Sequence, residues 1–393
     1  AFSLMNEPDE ELERETDRII DWIAAAQQED GYLMTYYIIN KHEQRWSDMS
    51  MHEMYCGAHL IETAVAYKQA TGKTKLLDVA CRLADHYWDL FGPGKRHWVP
   101  GHEEIELALI KLYRETGTRR YLELAVRLLE ERGRGHGRGT TWDRAEWGPA
   151  YCQDDRPVRE IERVTGHAVR AMYLFAAMAD AARETGDEGY VRALERAWEH
   201  TVGRNMYITG GIGSSARNEG FTDDYDLPNA SAYCETCASV GMVLWNHRMN
   251  LLHGDAKYAD IVERELYNGV LAGYGLSGDV FFYENPLESN GKHRRTPWFK
   301  VSCCPTNLCR LIPSIGNYVY ATGGRDIYVN QYVAGEARLF EGSGAVRLTQ
   351  ETRYPWDGRI VLRVEPDEER EWALCLRLPG WCERAEVRVN GAA

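Results

Sequence analysis

The feature that most constrains this chain is a helix-stopping glycine that recurs at a fixed offset from an apolar residue. Ala70-Thr71-Gly72 is followed four residues later by Leu76, and Glu115-Thr116-Gly117 by Tyr121. Glu184-Thr185-Gly186 is followed by Tyr190, and Leu252-His253-Gly254 by Tyr258. Glycine takes the left-handed conformation that ends a helix, and the apolar residue then re-enters the core in the next one. Copies spaced roughly 45–70 residues apart predict a row of αα-hairpins. Ahead of them, Asp9 to Gln28 carries Leu12, Ile19, Ile20 and Ile23 at helical spacing and stops at Gly31. Such an array is either an open solenoid or a closed toroid. Long inserts at 133–158 and 204–231 break an even period and favour the toroid, with loops that carry function.

After Tyr320 the period changes to two. Ile327–Val333, Ala345–Leu348, Ile360–Val364, Ala373–Leu378 and Glu386–Val389 read as strands, the start of an all-β sandwich. Asn390-Gly391 would open a hairpin whose returning strand is absent, so the chain is expected to be cut there.

Composition narrows the function. The 393 residues carry 46 basic and 60 acidic side chains, a net charge of −14, which argues against a nucleic-acid or anionic-membrane partner. No apolar run approaches the roughly 20 residues that span a bilayer, and residues 1–30 hold no signal-peptide core, so a cytoplasmic protein is expected. The ten cysteines are then free thiols rather than a disulfide framework. Twelve Trp and 23 Tyr suit a sugar-binding cleft and a large helical core equally well.

Chemistry-bearing residues recur near the start of each hairpin's first helix. His59, His102 and His167 lie 13, 15 and 19 residues before Gly72, Gly117 and Gly186. Glu235 and Cys237 lie 19 and 17 before Gly254, and Cys303 and Cys304 lie 20 and 19 before Gly323. In a toroid of parallel inner helices all of these meet at one mouth. Each also has a plainer reading: a helix-capping histidine, or a buried thiol. Cys234-Glu235-Thr236-Cys237 has the spacing of a redox pair but lacks the βαβ setting. Glu235, Cys237, Cys303 and Cys304 together are a carboxylate–thiolate set that suits Zn²⁺, although their spacing is not that of a zinc finger or ribbon. Gly210-Gly211-Ile212-Gly213-Ser214 is neither a P-loop nor a dinucleotide fingerprint, and His52-Glu53 and His102-Glu103 lack the second histidine of a zincin.

Five segments resemble glycoside hydrolase family 127, the β-L-arabinofuranosidases, and the related family 146. They are Gly101-His102-Glu103-Glu104-Ile105-Glu106-Leu107-Ala108, Gly210–Ser214 with Asn218-Glu219-Gly220-Phe221, Tyr233–Ser239, Phe282-Tyr283-Glu284-Asn285-Pro286-Leu287, and Ser302-Cys303-Cys304-Pro305-Thr306-Asn307. The resemblance runs from about residue 30 to the end. It implies a mainly α protein: an (α/α)6 barrel over 1–322, followed by a partial β-sandwich over 323–393. It also implies a catalytic zinc held by Glu235, Cys237, Cys303 and Cys304, with Cys303 as nucleophile and Glu219 as general acid/base. His59, His102, His167 and Tyr283 match positions that bind the sugar. Ten helices are legible where such a barrel has twelve, so the first inner helix is expected to be missing.

The expected activity is thus zinc-dependent, retaining release of L-arabinofuranose from an arabinofuranose-containing glycoside or oligosaccharide, by a chain that can pair as a homodimer. The alternatives are a sugar epimerase using histidine pairs, which leaves the Glu/Cys set idle, and a carbohydrate-binding protein with a closed structural zinc.

Overall fold

The computed structural model describes residues 1–137, 147–340 and 342–392, so the insert at 133–158 is described except for 138–146. In chain order its helices are α1 (Phe2–Asn6), α2 (Glu10–Ala26), α3 (Thr35–Asn40), α4 (Glu53–Thr71), α5 (Lys75–Phe91) and α6 (Ile105–Thr116). There follow α7 (Arg119–Glu130), α8 (Ala168–Thr185), α9 (Glu188–Arg204), α10 (Thr236–His253), α11 (Ala256–Arg264) and α12 (Cys303–Leu311). The glycine signature does what its chemistry dictates. Gly72, Gly117, Gly186 and Gly254 cap α4, α6, α8 and α10 at φ +76°, +70°, +70° and +68°, each donating its N–H to the carbonyl four residues back. Leu76, Tyr121, Tyr190 and Tyr258 are all buried.

Helices α4, α6, α8, α10 and α12 pack side by side as an inner ring, and α2, α5, α7, α9 and α11 lie outside it. Burial separates the two layers. In α8 every residue from Ala168 to Ala182 is buried, as in a helix surrounded by protein, whereas α7 buries only one face. The short α1 packs against α4 and against the 3₁₀ run Ile312–Tyr318 that follows α12, closing the ring. Five residues are too few to carry a helical period, which is why the sequence does not announce α1. The result is an (α/α)6 barrel followed by a β region. No helix among the described residues is long and apolar enough to cross a membrane.

Three expectations need correction. Gly323 does not end a helix: it is the last residue of β1 (Tyr320–Gly323), which turns through Gly324 at φ +62° into β2 (Asp326–Val329). His59 lies in the second turn of α4 rather than at its start. Glu386–Val389 is not a strand; Val389 and Ala392 exchange backbone hydrogen bonds of 2.8 and 3.0 Å around left-handed Asn390 and Gly391, leaving a hairpin turn alone. The remaining strands are β3 (Gly335–Leu339), β4 (Val346–Thr352), β5 (Ile360–Pro366) and β6 (Leu374–Leu376). Sheets β1-β2-β6 and β3-β4-β5 share one core, with Ile327 and Val329 of one sheet among Val346 and Leu348 of the other.

Candidate active site

The start of α10 is set by the loop before it. Cys234, at φ +42°, donates its N–H to the Gly213 carbonyl at 2.8 Å, and a Cβ on Gly211 would sit 3.1 Å from the Cys234 sulfur. The glycine-rich segment is therefore a packing surface for residues 233–235. From the other side, Thr236 N–H donates to the Tyr283 carbonyl at 2.9 Å, and the Asn285 amide donates to the Cys234 carbonyl at 2.9 Å. Glu235 thus enters the barrel at the N-cap of α10, and Cys237 follows in its first turn.

Helix α12 supplies the remaining thiols from its first two positions, where the unpaired N–H groups favour a thiolate. Glu235 Oε1 lies 3.5 Å from Cys303 Sγ and 3.6 Å from Cys304 Sγ. Cys237 and Cys304 sulfurs are 3.4 Å apart, and Cys303 and Cys304 sulfurs 4.0 Å. All four donor atoms lie within 4.8 Å of one another, a group that can hold a metal ion. Among the described residues Glu235 Oε2 is buried without a hydrogen-bond partner. With no cation present, burial raises the pKa of Glu235, Cys237 and Cys304. Hydrogen bonds from the Cys237 and Cys304 thiols instead hold Cys303 well below the usual thiol range. The Tyr283 hydroxyl is 3.1 Å from Cys303 Sγ. Cys234 is not part of this group: it packs among Tyr207, Ala232 and Leu227, and burial pushes its thiol up to about 12.

Beside the thiols stands a second pair. His167 Nε2 is 2.8 Å from Glu219 Oε2, and His167 Nδ1 accepts the Val169 N–H at 3.2 Å. Since Nδ1 is an acceptor, Nε2 carries the proton and donates it to Glu219. That hydrogen bond holds the Glu219 carboxyl below the usual range. Glu219 sits at φ +50°, a sparsely populated conformation for a non-glycine residue. Its loop is fastened to the start of α8 by Ala168 N–H to Glu219 O at 3.0 Å and Phe221 N–H to Gly166 O at 2.9 Å. Glu235 belongs to both clusters, because His167, Glu219 and Glu235 also bring their donor atoms within 4.8 Å of one another.

The other histidines line up behind. His102 lies with its ring centroid 6.0 Å from that of His167 and 4.1 Å from that of Tyr55, and Tyr55 is 4.5 Å from His59. His102 Nδ1 donates to the Glu103 carbonyl at 2.8 Å, which leaves Nε2 as an acceptor. Burial, reinforced by the Arg170 guanidinium, keeps His102 and His167 neutral, and burial lowers His59 to about 4. Neutral imidazoles suit sugar hydroxyls, which both donate and accept. Cys303, Tyr55 and His59 line one cavity of about 600 Å³.

The structure therefore places Glu219, Glu235, Cys237, Cys303, Cys304, His167 and Tyr283 side by side, with His102 and His59 joined to them through Tyr55, and leaves Cys234 outside. It adds several with no sequence signal: Tyr55, Tyr173, Arg170 and a buried charge frame. In that frame Arg132 pairs with Glu103 at 3.0 Å and Glu106 at 3.2 Å, and Arg310 pairs with Glu104 at 3.0 Å and with Glu62.

Comparison with known proteins fits this geometry. The family profile described as the β-L-arabinofuranosidase GH127 catalytic domain matches residues 1–317, and the GH127 middle domain matches 326–393. The non-reducing end β-L-arabinofuranosidase of Bifidobacterium longum subsp. longum is 40% identical over 100% of this chain and 64% of its own length. The crystal structure of a GH127 β-L-arabinofuranosidase from Geobacillus stearothermophilus T6 superposes with a TM-score of 0.95 at 45% identity, over 100% of this chain and 65% of that one. A GH127 β-arabinofuranosidase superposes at 0.89 with 43% identity, over 97% and 60%. The chain spans less than two thirds of the length of each of these relatives. With profiles matching nearly its whole length, the chain belongs to glycoside hydrolase family 127.

Proposed function

We propose that this chain carries the active centre of a zinc-dependent retaining hydrolase that releases L-arabinofuranose from β-L-arabinofuranosides. Residues 1–322 serve as the catalytic domain and 323–393 as a β-sandwich domain. The observation that carries this reading is the double membership of Glu235, which joins a three-thiol cluster to the His167–Glu219 pair. A soft nucleophile and a carboxylate able to exchange a proton are thereby held at one point, as double displacement at an anomeric carbon requires. The substrate class follows the relatives' names.

The donor set fits zinc. A tetrahedral ion with bonds of about 2.3 Å to sulfur and about 2.0 Å to oxygen places its ligands about 3.8 Å (S···S) and about 3.5 Å (S···O) apart. The sulfur–sulfur distances of 3.4 and 4.0 Å and sulfur–oxygen distances of 3.5 and 3.6 Å bracket those values. Glu235, Cys237, Cys303 and Cys304 would hold the ion, whose charge keeps the thiols ionised at neutral pH.

The chain's own groups perform the steps. His59, His102 and the Tyr283 hydroxyl orient the furanose by hydrogen bonds to its hydroxyls. Cys303 Sγ attacks the anomeric carbon as the glycosidic C–O bond breaks, and Glu219, which rests as a carboxylate and takes up a proton from solvent as the substrate binds, gives that proton to the departing oxygen. In the second half, Glu219 takes a proton from water. The water oxygen bonds to the same carbon, the C–S bond breaks, and the thiolate returns to Cys303. His167 orients Glu219 throughout and supports its carboxylate form between the half-reactions. Cys303 is half-buried and borders the open cavity, which favours a reactive thiol over a closed structural site.

The test is NMR of the first-formed sugar from an aryl β-L-arabinofuranoside, together with Cys303→Ala. The expected result is a product of retained anomeric configuration and abolished turnover in the variant. An inverted product would overturn the thiolate mechanism, and an active Cys303→Ala would move the nucleophile elsewhere, first to Cys304.

A further inference from the structure

A second convergence of metal-binding side chains lies outside the barrel mouth. We propose that His97, Glu131 and His136 form a separate site for a divalent transition metal, which clips the His102 loop to the end of α7. Glu131 Oε2 lies 2.7 Å from His97 Nδ1 and 2.5 Å from His136 Nδ1, and the two imidazole rings lie with centroids 4.0 Å apart, inclined by 30°. All three donor atoms lie within 4.8 Å of one another.

Ordinary hydrogen bonding accounts for only half of this arrangement. His97 Nδ1 is well placed to share a proton with Glu131. His136 Nδ1 is not: it is buried and, despite its closeness to the carboxylate, has no hydrogen-bond partner among the described residues. A buried nitrogen that makes no hydrogen bond beside a carboxylate leaves a polar group in need of another partner. Two lone pairs that converge in this way suit a shared cation. The other carboxylate oxygen, Oε1, is held by Arg127 Nη2 at 3.3 Å, an outer contact of the kind that fixes a ligating carboxylate.

Two imidazoles and one carboxylate suit Zn²⁺, Co²⁺, Ni²⁺ or Cu²⁺, and three protein ligands leave a position for water. Glu131 is buried, His136 is partly covered and His97 is exposed, so the ion would enter from solvent on the His97 side. The consequence is mechanical. Next to Glu131, Arg132 donates to the Pro100 carbonyl at 3.2 Å and pairs with Glu103, and Arg127 donates to the carbonyls of Phe91 and Lys95. The segment from Phe91 to Glu103, which presents His102, is therefore already tied to the end of α7 at several points. A metal would add the tie at His97.

Cobalt titration of the metal-free protein tests this, because thiolate ligands give an intense near-ultraviolet charge-transfer band and imidazole–carboxylate ligands do not. Wild type should take up two equivalents, only one of them with the charge-transfer band. His97→Gln/His136→Gln should take up one, with the band intact and with far-ultraviolet circular dichroism unchanged. Glu131→Gln provides a second, single-site variant with the same expectation. Uptake of a single, thiolate-type equivalent by wild type would overturn the proposal, as would two equivalents in both variants. Loss of the charge-transfer band alone would instead count against the thiolate centre and leave this site standing.

Discussion

Gly220 is the position where a single methyl group should separate catalysis from stability. A Cβ there would lie 1.8 Å from the Gly166 carbonyl oxygen, 2.7 Å from its carbon and 2.8 Å from His167 Cα. All three atoms are backbone, so no side-chain rotation relieves the overlap. The strand-like contact between the Glu219 loop and residues 166–168 must open by more than 1 Å to restore ordinary contact distances. Opening it weakens the two backbone hydrogen bonds that flank Glu219, at 2.9 and 3.0 Å. At roughly 1 kcal/mol each, Gly220→Ala should cost about 2 kcal/mol and lower Tm by a few degrees. Activity should fall further. A displacement of about 1 Å at a catalytic group can cost about 100-fold, so kcat/KM on 4-nitrophenyl β-L-arabinofuranoside should drop by about that factor. The matched control is Gly203→Ala in α9, where the added methyl meets nothing within 4 Å among the described residues. It should stabilise by about 0.5–1 kcal/mol through helix propensity and leave kcat/KM unchanged. A Gly220→Ala enzyme within threefold of wild type would refute the idea that this contact holds Glu219 in place.

With Cys237 as a ligand of the proposed zinc, Cys237→Ser exchanges a soft donor for a hard one, and metal analysis after gel filtration should show the zinc content falling sharply from about one per chain at the thiolate site. Glu219→Gln should lose most of its activity on alkyl glycosides and recover part of it on aryl glycosides whose leaving groups need no proton; equal loss on both would remove Glu219 from the acid role. Burial, helped by Arg248, lowers His247 from 6.5 to about 3, so the folded state keeps it neutral where the unfolded chain takes up a proton. Its contribution is complete above pH 6.5 and is lost as pH falls toward 3, by up to about 1.4 kcal/mol per pH unit. His247→Gln should therefore flatten the acid limb of a Tm–pH curve, and an unchanged limb would contradict this.

The helical hairpins were legible because their signal is local: a glycine that must turn left-handed and an apolar residue that must be buried four positions later. The convergence at the mouth was legible for a related reason. Inner helices of a toroid run parallel, so residues near their starts meet wherever the ring closes. Gly323 misled because Thr322-Gly323-Gly324 fits a helix stop and a β-hairpin turn equally well, and only pairing with β2 decides between them. The buried charges left no trace. Glu103-Glu104 reads as a solvated acidic pair, yet both side chains are fully buried, because Arg132 and Arg310 reach them from distant parts of the chain. Arg170 likewise looks like a helix-surface residue until α8 proves to be enclosed on all sides.

That charge frame aligns the site, and its pH dependence is open to test. Arg310 lies two turns beyond Cys303 on α12 and reaches Glu104, which is itself 3.5 Å from His59 Nδ1. The thiol-bearing helix, the His59 helix and the His102 loop therefore meet at one guanidinium. Glu62 pairs with both Lys111 and Arg310, and their charges hold its pKa below the usual range against the opposing effect of burial. Burial, and then the neighbouring Glu62 charge, push Glu104 up to about 8 although Arg310 opposes them. At pH 7 Glu104 is thus mostly protonated. Removing Arg310 leaves the Glu62–Lys111 pair balanced, which keeps Arg310→Met tolerable near neutrality. Without the guanidinium the folded-state pKa of Glu104 moves still higher, while the unfolded carboxyl stays near 4.5. A carboxyl with a raised folded pKa loses stability as pH rises, until that pKa is passed. Wild type stops losing it near pH 8, and the variant continues at about 1.4 kcal/mol per pH unit. The denaturation free-energy gap between Arg310→Met and wild type should therefore widen by about 1 kcal/mol from pH 7 to pH 9. A gap that stays constant over this range would mean that Glu104 is ionised throughout, with Arg310 as its permanent partner.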